Sequence, residues 1–185
     1  MGRTQLEAVC AVRPIDTAYI FDMHTDLITN FIADMTTQLG IDIRPGTTAH
    51  IAQADVICTA TTSESSVFEA NHVSPGTHVN GVGSYKPNMQ ELPGQLLANA
   101  GIFTDSTAVS IVETGDLKIP LDQGIIALDD IAEIGQLAEG RIPGRTSDTE
   151  VTVFKSVGNA IQDLSAAGIV IARARELGLG VTLDD

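Results

Sequence analysis

Two short apolar runs, each breaking into small polar residues, stand close together between Ala54 and Leu92 (ADVICTATTSESSVFEANHVSPGTHVNGVGSYKPNMQEL). Asp55 to Cys58 reads as a strand that gives way to Thr59-Ala60-Thr61-Thr62-Ser63, and His78 to Val82 as one that gives way to Gly83-Ser84-Tyr85-Lys86-Pro87. Ligands of open parallel sheets sit beyond the carboxyl ends of the strands, where hydroxyls and backbone amides can line a polar group. A pair of such ends suits a nucleotide or nicotinamide crevice.

Asp22 closes the run TAYIFD. At the end of a second Rossmann-type strand an acidic side chain accepts hydrogen bonds from the adenosine ribose, and its charge repels the extra phosphate of NADP. An acidic residue capping the next helix reads equally well there. Thr59, Thr61 and Thr62 suit a ribose or nicotinamide, although plain turn chemistry explains them more simply. Ser156, with the amides of Val157 and Gly158, opens the last helix, a favourable place for a carboxylate or phosphate, while spacing alone fits an ordinary strand and turn equally. His24 reads as a solvent-facing turn residue and His78 as a satisfied core histidine. His50 and His72 have no Cys or Glu at metal-ligand spacing, so no metal site is expected. Cys10 and Cys58 read as reduced core residues. No nucleophile elbow, kinase signature or P-loop is present.

The elements that must hold these residues alternate between strand and helix, which predicts an α/β fold with a doubly wound, mainly parallel sheet. Strands are expected at Thr17 to Phe21, Ile41 to Arg44 and Gly101 to Asp105. Helices are expected at Thr4 to Val12, Thr25 to Leu39 with Gly40 closing it, Thr48 to Gln53, Glu91 to Ala100, Thr107 to Glu113, Asp129 to Ala138 and Gly158 to Leu177. The helix from Thr4 has neither a strand nor a G-x-G-x-x-G turn ahead of it, so the Rossmann-like sheet lacks its first, central strand. The expectation is the C-terminal part of a longer protein, or a truncated gene product.

At 185 residues and 43% hydrophobic content the chain can bury one domain-sized core. Asp and Glu outnumber Lys and Arg by 24 to 10, and the resulting charge of −14 is spread along the chain. Phosphate backbones call for a basic patch, so nucleic acid is not an expected partner. Such acidity also suits solubility in high salt. No apolar run approaches the roughly 20 residues of a membrane span, so the expected location is the cytoplasm.

ADVICTATTS, PGTHVNGVGS with PNMQEL, LKIPL, and GRTSDTEVTVFKSVGNAIQDL together resemble the ornithine cyclodeaminase/mu-crystallin family. RTQLEAV is similar to the helix after that family's glycine-rich loop, and the likeness covers nearly the whole chain in order. The resemblance implies a partial NAD(P)-binding Rossmann domain over residues 1–140. Residues 141–185 would return to a substrate and dimerisation domain, against which the last helix packs. It implies movement of a hydride between a nicotinamide and the carbon bearing an amino or imino group of a small acid, as in alanine dehydrogenases, ketimine reductases and pyrroline-2-carboxylate reductases. NAD is the implied cofactor, with NADP left open, and the implied assembly is a homodimer. By motif, Asp22 would bind the adenosine ribose, Thr61 and Thr62 would lie near the nicotinamide ribose, and Val82, Gly83 and Ser84 would line the cofactor. Ser156 would lie near the nicotinamide or the substrate carboxylate.

The chain departs from the family's pattern in two places. Tyr85 stands where ornithine cyclodeaminases carry an Asp, and a phenol with a pKa of about 10 is a poor base at neutral pH, which favours the reductase and dehydrogenase branch. The family's N-terminal Arg and Lys, which hold the substrate carboxylate and assist proton transfer, have no counterpart. Catalytic residues are therefore unassigned, and the chain alone is expected to be inactive. A non-catalytic remnant or binding protein, and one half of a split enzyme, are the alternative readings. The sequence leaves the particular substrate and the oligomeric state open.

Overall fold

The computed structural model describes residues 1–181. α1 (Gly2–Val12) leads into β1 (Thr17–Ile20), α2 (Thr25–Leu39) and β2 (Asp42–Pro45). β1 and β2 pair in parallel as a sheet of their own. α2 spans the expected residues and ends as expected, with Gly40 at φ 68° donating its amide to Thr36 O. Ile28 and Met35, two turns apart, are its buried residues.

A 3₁₀ turn (Thr48–Gln53) precedes β3 (Val56–Thr59), and β4 (His78–Gly81) follows a long loop. α3 (Gly94–Leu97), β5 (Ala100–Thr104), α4 (Thr107–Glu113), α5 (Gly115–Asp122), β6 (Ile131–Glu133), α6 (Ile134–Ala138), β7 (Val151–Lys155) and α7 (Ala160–Glu176) complete the order. Five of these strands form one all-parallel sheet in the order β3-β4-β7-β5-β6. β7 therefore stands in the middle of the sheet, between β4 and β5, so the sheet continues past residue 140.

The register explains where the core stops and polar chemistry begins. Ile57, Val79, Val153, Ile102 and Ile131 align as one rung across all five strands. Val79 and Val153 are fully buried and pack with Leu92, Leu96, Leu97 and Leu117. Each such side chain contributes about 1.5–3 kcal/mol by leaving water. Side chains alternate across a strand, so the rung two residues on points to the same face. That rung reads Thr59, Gly81, Lys155, Thr104 and Glu133. One face thus turns from apolar to polar within about 7 Å, at the carboxyl ends of the strands.

Three local expectations change. The helix expected from Glu91 begins only at Gly94, because the Glu91 and Leu92 amides bond Asp116 Oδ1 and Pro93 disfavours helical geometry at Leu92. The helix expected from Asp129 is instead a 3₁₀ turn, then β6, then α6. Ile131 completes the apolar rung, and that sheet contact outweighs the local helical spacing. α5 was not foreseen, since Pro120 lies inside it and removes a helical donor. The cysteines are free thiols as expected, but Cys58 is exposed and Cys10 half-buried, so neither is a core residue. Cys58 lies on β3, which pairs on one side only among the described residues.

Candidate functional site

The loops after β3 and β4 are fastened together from beneath by Glu91. This carboxylate is fully buried. Its Oε1 accepts the Thr61 amide at 2.5 Å, and its Oε2 accepts those of Gly83 at 2.7 Å and Ser84 at 2.9 Å. Those three amides are thereby consumed within the protein and cannot serve a ligand, while the Thr61 and Thr62 side chains are exposed. Gly83 is compelled by the same packing: a Cβ there would collide with the backbone of Thr61 and with the Glu91 carboxylate.

Ser84 supports this arrangement from inside. Fully buried, it donates its hydroxyl to Met89 O at 2.6 Å and pairs with Thr114 Oγ1 at 2.6 Å. The Thr114 hydroxyl also accepts the Asp116 amide and so caps α5. A ligand in the crevice would therefore meet the Ser84 turn without touching its side chain.

Beneath Glu91 lies a second carboxylate. Asp116 Oδ1 accepts the amides of Glu91 at 2.6 Å and Leu92 at 2.8 Å, while Oδ2 lies 3.0 Å from Lys155 Nζ. Both side chains have zero exposure. The pair is close but not aligned as a hydrogen bond, and neither atom has another hydrogen-bond partner. Burial pushes the Asp116 carboxyl above the ordinary carboxylate range, opposed first by the Lys155 charge and then by the Leu92 amide. Gly81, between Thr59 and Lys155 on the polar rung, leaves the lysine stem its path: a Cβ there would lie 2.8 Å from Leu92 Cδ1 and 3.5 Å from Lys155 Cδ.

Beside the β4 and β7 ends a cleft of about 410 Å³ is lined by Val82, Phe154, Ser156, Val157, Gly158 and Gln162, with Met1 and Gln5 of the α1 end opposite. The structure thus brings Val82 and Ser156 into one cleft, and gathers Thr61, Gly83 and Ser84 around Glu91. Asp22 stands apart, exposed beyond β1, where its carboxylate accepts the His24 amide at 2.8 Å in the turn before α2. Tyr85 is exposed, with Lys86 Nζ 5.5 Å from its ring centre. Among the described residues no cluster of His, Cys, Asp and Glu could hold a metal ion.

Sequence reasoning missed Glu91, Asp116 and Lys155. A charged residue at a strand end or in a loop reads as solvated, and only the mostly apolar strand VTVFK that leads into Lys155 hints otherwise.

A parallel sheet with helices on its faces, glycine and hydroxyl residues at its carboxyl ends, and an acidic residue beyond β1 define a Rossmann-like α/β protein. The family model described as "Ornithine cyclodeaminase/mu-crystallin family" matches residues 1–178, and the chain belongs to that family. Among its relatives is the Delta(1)-pyrroline-2-carboxylate reductase of Bacillus cereus (strain ATCC 10987 / NRS 248), 38% identical in an alignment of 182 residues that covers 96% of this chain and 56% of the relative. The solved structure of Thermococcus litoralis Delta(1)-pyrroline-2-carboxylate reductase in complex with NADH and L-proline superposes with a TM-score of 0.94 at 33% identity, over 98% of this chain and 57% of that one. The iminosuccinate reductase of Paracoccus denitrificans in complex with NAD+ does so with a TM-score of 0.92 at 30% identity, over 99% of this chain and 56% of that one. The chain spans little more than half the length of these relatives.

Proposed function

We propose that this chain is the cofactor-binding part of an NAD(H)-dependent reductase or dehydrogenase acting on a small imino or amino acid. The observation that carries this reading is the Glu91 clamp, which fixes the β3 and β4 turns side by side at the carboxyl edge of a parallel sheet, next to the cleft at the end of β7. Relatives that hold NADH or NAD+ share this fold almost throughout the chain. Thr61 and Thr62 would face the nicotinamide ribose, Val82 and Gly83 would wall the crevice, and Ser156 would stand at the nicotinamide end. Asp22 would receive the adenosine ribose and disfavour the 2′-phosphate of NADP.

Tyr85 supports the reductase branch over ornithine cyclisation, since no carboxylate stands at that position to activate water. α7 buries none of its residues, and Ile161, Leu164, Ile169 and Val170 are exposed along it. We place it against the substrate and dimerisation domain, whose other parts would supply the groups that hold the substrate. When bound, the nicotinamide would supply the hydride chemistry, and this chain would orient the ring and exclude water from one side of it.

NADH fluorescence, titrated in parallel on the 185-residue chain and on the chain with any residues encoded in frame ahead of Met1, tests the reading. Saturable binding of NADH, weaker for NADPH, by at least one form is the expected result. Failure of both forms to bind either dinucleotide would reject it.

A further inference from the structure

Asp105 lies one residue beyond β5 and is surrounded by donors. Its Oδ1 accepts the Ser106 amide at 2.9 Å and lies 3.3 and 3.4 Å from the Thr104 and Ser110 hydroxyl oxygens, which are 2.6 Å from each other, so one of these hydroxyls donates to Asp105 and the other to its neighbour. Its Oδ2 accepts the Ser156 hydroxyl at 2.7 Å and the Gln162 amide group at 3.4 Å. A serine hydroxyl has one proton and two lone pairs. At Ser156 the proton is committed to Asp105, and one lone pair accepts the Gly158 amide at 3.1 Å. What Ser156 retains for the cleft it lines is a single acceptor site.

We infer that Asp105 is a positioning residue that fixes Ser156 as a hydrogen-bond acceptor, so that the cleft selects a ligand group bearing an N–H donor and turns away a carboxylate. This inference rests on the dinucleotide reading and narrows it. Of the two partners open to Ser156, the carboxamide NH₂ of the nicotinamide matches its polarity. The substrate carboxylate would set lone pair against lone pair, with the Asp105 charge directly behind. A buried polar group without a partner is costly, and a site shaped for one donor rejects the analogue that lacks it.

The test compares NAD with nicotinic acid adenine dinucleotide, in which a carboxylate replaces the carboxamide, as competitors of NADH on whichever form of the protein binds it. The wild type should prefer NAD by about tenfold or more, the scale of one mismatched hydrogen bond. In Asp105→Asn the new amide can donate to Ser156 and free its proton for the cleft, so the preference should shrink several-fold while affinity for ADP-ribose stays unchanged. If that variant fails to fold, Ser156→Ala removes the acceptor while leaving the other donors to Asp105 in place, and should narrow the same ratio. Equal binding of the two dinucleotides by the wild type, or an unchanged ratio in a folded variant, would overturn the assignment. Absence of NADH binding by any form would instead remove the dinucleotide reading, and this inference with it.

Discussion

Lys155 and Asp116 are the residues whose energetics decide most about this site. A buried ion pair gains little over an apolar pair of the same shape, yet removing one partner leaves an uncompensated charge, at about 3–5 kcal/mol. Here the two partners also differ in what else they do, for Asp116 Oδ1 satisfies the Glu91 and Leu92 amides while Lys155 makes no other bond. Asp116→Ala should therefore be the most damaging single change, because it strands a buried ammonium and two backbone donors together. Lys155→Met should cost less, leaving a carboxylate that retains both amides and gains a proton more readily. The combination of Asp116→Asn with Lys155→Met keeps an acceptor for the amides and removes both charges, so urea denaturation should find it more stable than Asp116→Ala by about 2 kcal/mol or more. A double variant no more stable than Asp116→Ala would show that the charges themselves hold the turn in place.

At the scale of elements, the strand β4 carries a histidine whose protonation should be visible in stability. His78 Nδ1 lies 2.8 Å from Thr152 Oγ1 and Nε2 3.2 Å from Asn80 Oδ1. Arg145 donates to the same Thr152 oxygen, which leaves the Thr152 proton for Nδ1 and makes Nε2–H the donor to Asn80. Protonation would reverse the first bond, turning the Thr152 hydroxyl so that it accepts from both Nδ1–H and Arg145. Burial holds the His78 pKa below its ordinary value of 6.5, with repulsion from Arg145 and Arg13 adding to it against the Asn80 bond. The unfolded chain therefore binds this proton first, so the contribution is present above pH 6.5 and is lost as pH falls through the lower folded value. Denaturant midpoints should decline between pH 6.5 and about 5, before most carboxylates titrate, and His78→Gln should flatten that segment. This histidine was legible as a hydrogen-bonded residue, although it is half-buried and not part of the core, and the bounds of α2 and α4 and both polar strand ends were legible too, because those follow from local spacing. The β6 strand and the late start of α3 were not, since each is imposed by a partner far away in sequence: Ile102 for Ile131, Asp116 for the Glu91 and Leu92 amides. The same holds for the site, where the strand-end positions could be read directly but the carboxylates beneath them could not.

For the whole molecule the governing quantity is the charge of −14. Among the described residues six ion pairs occupy six of the ten Lys and Arg residues, and five of them are exposed: Arg3–Asp34, Arg44–Asp42, Lys118–Asp122, Arg141–Glu139 and Arg173–Glu176. Salt acts on these two populations with opposite sign. It weakens the exposed pairs, each worth about 0–1 kcal/mol, and it relieves repulsion among the carboxylates that outnumber the cations. The pairs join residues that are near in sequence in four of the five cases and so persist partly in the unfolded chain, whereas folding forces the acidic excess onto a smaller surface. Repulsion should win. Between about 0.01 and 0.15 M sodium chloride the screening length falls from about 30 to about 8 Å, shorter than the width of the folded domain. Relief on the order of 1 kcal/mol would then raise the melting temperature by about 2–4 °C. Chloride rather than sulfate is the salt to use, since sulfate also strengthens burial of apolar surface and would act on the exposed face of α7. A melting temperature that falls over this range would mean that the few exposed pairs outweigh the whole acidic excess, and that the charge of this chain serves its solubility at no cost to its fold.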